Sequence, residues 1–69
     1  MTIDQRIARL EKFYKTPAGT QLIRCLDPVS GVYWSFGLGQ LGMPKQFFLG
    51  KSILKAIIAA EQFHLFHKS

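Results

Sequence analysis

The stretch Gly37–Ser52, GLGQLGMPKQFFLGKS, concentrates the residue types and spacings that could do chemistry in this chain. Gly37, Gly39 and Gly42 form a GxGxxG, the spacing that cradles a pyrophosphate between a strand and a helix N-terminus. A strand pattern does precede Gly37. After Gly42, however, come Met43, Pro44 and Lys45, and no helical periodicity starts until about Lys51. A chain of 69 residues also lacks the length for a doubly wound sheet. Gly50-Lys51-Ser52 matches the end of a phosphate-binding loop, but the glycine required five positions earlier is Lys45. Neither nucleotide chemistry is expected, and neither is any cofactor or small-molecule substrate. What survives is electrostatic: a helix start at Ser52 with Lys45, Lys51 and Lys55 around it suits one phosphate of a polymer.

The remaining reactive side chains fit structural roles better than chemical ones. Glu61-x-x-His64, with His67 a turn further on, has the spacing of a carboxylate-bridged metal site. Such a site needs several carboxylates from facing helices, and only Asp4, Glu11 and Asp27 remain, so no metal centre is expected. His64 and His67 read instead as a solvated helix end. Cys25 is the single cysteine, which excludes an intrachain disulfide and points by default to the reducing cytoplasm. With no orienting third group in view it reads as a small core residue, and the chain reads as non-enzymatic.

Nine Lys and Arg against four Asp and Glu leave a net charge of +5, which favours polyanions or acidic surfaces. The candidate phosphate contacts are Arg6, Arg9, Lys12 and Lys15 on the first helix, together with Lys45, Lys51 and Lys55. Only three cations are arginine, the residue whose fork suits bidentate readout. A 48% hydrophobic content argues for a folded chain. At this length a lone core stabilises by only a few kcal/mol, roughly 3–5, so burial in a partner or a second copy is expected. The apolar run from Ile53 to Phe66 carries Lys55 and Glu61 and is shorter than the ~20 residues of a membrane span, so no membrane insertion is expected.

These residues must be positioned by one α+β domain, residues 1–69. Thr2 and Gln5 form a capping box, and Ile3, Ile7, Leu10 and Tyr14 recur at helical spacing, which predicts a helix over 3–15. Pro17 and Gly19 end it. Residues 20–27 and 32–37 form a hairpin around the turn Asp27-Pro28-Val29-Ser30-Gly31. Val32, Trp34 and Phe36 face the helices, and both faces of the first strand are partly apolar. Residues 37–50 form a glycine-rich connection, in which Gln46–Leu49 suits a short third strand. The final helix spans 51–67 and is apolar nearly all round, which demands burial. The expected order is α-β-β-(β)-α, an antiparallel hairpin or three-stranded sheet with helices packed on one face.

An order α-β-β-β-α at this length is similar to that of double-stranded-RNA-binding domains. Gly50, Ser52 and Ala56 match the start of their final helix, which grips phosphates. Ile53, Leu54 and Ile57 stand where those domains carry cations, so the resemblance is one of topology. Two functions follow as expectations. The first is protein–protein interaction or assembly, as a homodimer or with another protein, through Tyr33 of the hairpin and Ile53, Ile57, Ile58, Phe63 and Phe66 of the apolar helix. The alternative is nucleic-acid binding through the seven cations named above.

Overall fold

A computed structural model describes residues 1–66. It shows helix α1 (Ile3–Glu11), strands β1 (Pro17–Asp27), β2 (Gly31–Gln40) and β3 (Gln46–Gly50), helix α2 (Ile53–Glu61) and a π-helical turn, Gln62–Phe66. The sheet is antiparallel in the order β1-β2-β3, with both helices on one face. The α+β order is therefore the one expected, and of its two alternatives, hairpin or three-stranded sheet, the second is present.

Local chemistry explains each boundary. Thr2 Oγ1 accepts the Gln5 N–H at 3.1 Å while Gln5 Oε1 accepts the Thr2 N–H at 2.8 Å, closing the capping box at the start of α1. α1 stops at Glu11, short of the expected residue 15. The Phe13 and Tyr14 N–H groups turn back onto the Leu10 and Glu11 carbonyls, and both rings leave the helix to meet His64. At the hairpin, Asp27 Oδ1 accepts the N–H groups of Val29 (2.8 Å) and Ser30 (3.2 Å). Those two bonds hold the Asp27 carboxyl below its ordinary range. Gly31 then takes φ +86°, the left-handed residue that completes a three-residue hairpin loop.

Strand β2 runs further than expected. Gly37 and Gly39 lie inside it and not in a connecting loop, Gly37 paired with both Gln21 of β1 and Phe47 of β3. Only Leu41–Lys45 connects, through a turn in which the Met43 N–H bonds to the Gln40 carbonyl and Gly42 has φ +82°. β1 likewise begins at Pro17 and reaches regular register at Thr20 after an irregularity.

The core is the space between the sheet and the two helices. Ile7 and Leu10 of α1, Phe36 and Leu38 of β2, and Ala56, Ile57 and Ala60 of α2 are buried together. Tyr14, Trp34, Phe48, Ile53 and Leu65 pack around them. α2 lies on β2 and β3, and α1 leans against α2 and β1. At Gly50 an added Cβ would run into the Lys55–Ala56 backbone, so glycine lets the end of β3 touch the start of α2. Ser52 caps α2 by accepting the Lys55 N–H at 3.2 Å. The helix expected over 51–67 is α-helical only to Glu61, and its expected end at His67 lies outside the described residues.

Candidate interaction surface

Because successive strand residues point to opposite faces, the cross-strand register tells which side chains share the face away from the helices. Cys25 pairs with Tyr33, Ile23 with Ser35 and Gln21 with Gly37. Ser35 also pairs with Leu49, and Gly37 with Phe47. Helices cover the opposite face only. Ile23, Phe47 and Leu49 are accordingly 38%, 49% and 60% exposed on the two edge strands, flanking the buried Ser35 and Gly37 of β2 on the open side of the sheet.

This face is flat. A Cβ placed on Gly37 would lie 2.7 Å from the Phe47 ring, so that ring rests directly over the glycine backbone. Gly37 and Gly39 are buried, and Ser35 sits 7% exposed between Ile23 and Leu49. No Lys, Arg, Asp or Glu occupies the paired positions between Gln21–Cys25, Tyr33–Gly37 and Phe47–Leu49 on this side. Charge begins at the margins, with Asp27 at the hairpin end and Lys45 beyond Phe47. β3 ends opposite Trp34, and beside that step a shallow groove of about 380 Å³ opens between Ser30, Tyr33, Leu49 and Lys51. Tyr33 and Cys25 are half-buried neighbours, and their hydrogen bond is the main cause of a raised Tyr33 phenol pKa.

The candidate interface on the final helix is distributed differently. Ile57 is fully buried in the chain's own core and is unavailable to a partner; this corrects the expectation made of it. Ile53 and Ile58 are half-buried, Ile53 against that same core. Phe63 is 46% exposed and touches the rings of Phe48 and His64. Phe66 ends the π-helical turn, and its side chain lies outside the described residues. Tyr33 does lie on the open face. The residues missed were Ile23, Phe47 and Leu49. Their signal was present: β1 is apolar on both faces, and Phe47 and Leu49 alternate with Phe48.

The cations divide as well. Arg6 Nε donates to Glu61 Oε2 at 3.0 Å, its terminal nitrogen donates to Oε1, and Arg9 donates to Oε2 at 2.9 Å. Glu61 is 2% exposed. Chiefly because of the Arg6 hydrogen bonds, its carboxyl titrates below its ordinary 4.5 although burial pushes the other way. Arg6 and Arg9 are thus engaged in joining α1 to α2. Lys12, Lys15, Lys51 and Lys55 are exposed and Lys45 is half-buried.

Glu61 and His64 also do not share a ligand site. Glu61 faces the arginines, whereas His64 Nε2 lies 2.9 Å from the Tyr14 hydroxyl among the rings of Phe13, Phe48 and Phe63. Burial there lowers the His64 pKa below its ordinary 6.5. His64 is therefore part of an aromatic cluster joining α1, β3 and the π-helical turn, and not a solvated helix end. No three of His, Cys, Asp and Glu converge among the described residues, and no helix among them is long and apolar enough to cross a membrane. Comparison with protein-family models, with curated protein sequences and with solved structures finds no match for the chain.

Proposed function

We propose that this chain is a small non-enzymatic binding module that acts through protein–protein contact, with the open face of its sheet as the contact surface. The observation that carries the reading is the group of exposed Ile23, Phe47 and Leu49 on the two edge strands of one sheet face. A single exposed leucine needs no explanation, but a contiguous apolar patch on a rigid sheet is characteristic of an interaction site. Half-buried Tyr33 at the margin of the patch adds the aromatic residue type enriched at such sites.

The nucleic-acid alternative draws less support. Two of its seven cations, Arg6 and Arg9, are held by Glu61, and they are the two whose planar forks best suit phosphate. Its remaining basis is Lys51 and Lys55 at the capped start of α2, with Lys12 and Lys15 elsewhere.

Capture experiments with the wild-type chain and with Leu49→Asp as bait test the proposal in the native host. Circular dichroism first establishes that the variant is folded. Partners held by wild type and lost by Leu49→Asp are the expected result. Equal capture by both baits would remove the open face from consideration. Binding to nonspecific RNA or DNA at low salt that vanishes in a Lys51→Glu/Lys55→Glu variant would move the assignment to the alternative.

A further inference from the structure

We infer that the partner covering the open face is a second copy of this chain, packed sheet against sheet; the inference rests on the reading of that face as a protein-contact surface. Charge is the first reason. Two copies carrying +5 each repel, so any face they share must keep its cations off the contact. The face centred on Ser35 does so, with Gln21, Ile23, Cys25, Tyr33, Gly37, Phe47 and Leu49 around it and no ionised side chain among them. An acidic partner would be recognised by cations on the contact, and the lysines lie at its margin or elsewhere.

Shape is the second reason. Two flat sheet faces pack at about 10 Å separation with their strands roughly 30° apart, provided no long side chain stands between them. Gly37, Gly39 and Ser35 give this face its low centre, and the Phe47 ring lies down over Gly37 instead of projecting. The exposed leucine and isoleucine on the flanking strands then form two low ridges that a two-fold axis can interleave.

Area is the third. β1 and β2 at ~3.3 Å per residue and ~4.8 Å spacing, with the shorter β3 beside them, give a footprint of at most roughly 400 Å² per copy when the strand ends around the uncharged centre are included. Side-chain relief brings two copies to on the order of 1,000 Å², the lower limit for a specific interface. An interface of that size suits a dissociating dimer and not an obligate one.

Sedimentation of the full chain between about 1 μM and 1 mM tests this. The expected result is a monomer–dimer equilibrium that tightens as salt rises, because salt screens repulsion between the two copies. Cys25 supplies a readout requiring no substitution: it lies on the face, so its reaction with a thiol reagent slows as dimer forms. At a total concentration ten times Kd the slowing is about fivefold by mass action. Ile23→Asp and Leu49→Asp each abolish dimerisation, whereas Leu26→Asp, on the other face of β1, leaves it intact. A monomer at 1 mM, or a dimer indifferent to both face variants and without Cys25 protection, overturns the inference. In the monomer case, capture of another protein by wild type but not by Leu49→Asp preserves the contact-surface reading, and equal capture ends both.

Discussion

Replacing Glu61 by Gln tests how the two helices are held together. The carboxylate is 2% exposed and accepts three hydrogen bonds, two from Arg6 and one from Arg9. Glutamine keeps the volume, but it offers one acceptor and turns an NH2 group toward guanidinium donors. Removing one partner of a buried ion pair costs about 3–5 kcal/mol when the other is left dry. Here the arginine side chains are 25% and 42% exposed and recover solvation, so the lower figure of roughly 2–3 kcal/mol is expected. That is a large share of what a core of this size supplies, about 3–5 kcal/mol. At ~4–8 °C per kcal/mol, Tm falls by about 10–20 °C. Urea titration followed by Trp34 fluorescence and by circular dichroism measures it. The pH dependence gives a second reading of the same group. With its folded pKa depressed below 4.5, Glu61 contributes stability that is complete above 4.5 and is lost as pH falls through the folded value. Glu61→Gln should therefore lose stability at neutral pH and be less acid-sensitive than wild type. A neutral-pH loss below about 0.5 kcal/mol, the range of ordinary surface changes, would refute the clamp.

Three further outcomes follow from the geometry. His64 is held neutral by burial, with a folded pKa below 6.5, so its contribution is complete above pH 6.5 and declines as pH falls below it; equilibrium denaturation across pH 5–8 should show this, and His64→Phe should flatten the profile. Tyr14→Phe removes the partner of His64 Nε2 while keeping the ring, so a denaturation midpoint corresponding to a loss of about 0.5–1.5 kcal/mol is expected. At Gly50 a new Cβ meets the α2 backbone, whereas at Gly37 it meets only the movable Phe47 ring. Gly50→Ala should therefore cost more, about 1–3 kcal/mol, and thermal melts of the two alanine variants rank them.

Much of the fold was legible because the signals are local. The Thr2–Gln5 capping box, the Asp27–Gly31 turn and the alternation through Trp34 and Phe36 each act within a few residues, and each appears where it was expected. The failures involve residues whose fate depends on distant neighbours. Phe13 and Tyr14 continue the apolar stripe of α1 on paper, yet they leave the helix for a ring 50 residues away in sequence. Gly37 and Gly39 read as loop because glycine disfavours strands. Gly37, paired on both sides with Phe47 laid over it, and Gly39, close against Lys45, hold strand geometry by tertiary context. Tyr33, named from the sequence, lies on the open face, whereas Ile23, Phe47 and Leu49 beside it are not singled out by the sequence, because alternation tells which residues share a face but not which face the helices cover.

The same limit bears on the final helix. A helix with almost no polar face must be buried, and a partner is one way to bury it in so short a chain. Instead α2 lies across β2 and β3, sinking Ala56, Ile57 and Ala60, and its one acid is neutralised by two arginines of α1. Placing both nine-residue helices on one side satisfies them and leaves the sheet's other side uncovered among the described residues. The apolar excess noted in the composition is thus moved from the helix to the sheet. There Ile23, Phe47 and Leu49 cannot be buried by any other described element of the chain. A two-layer domain with only two short helices has no third layer to offer. That is why the search for a partner belongs on the open face of the sheet, and why the lysines, which water already satisfies, do not by themselves call for one.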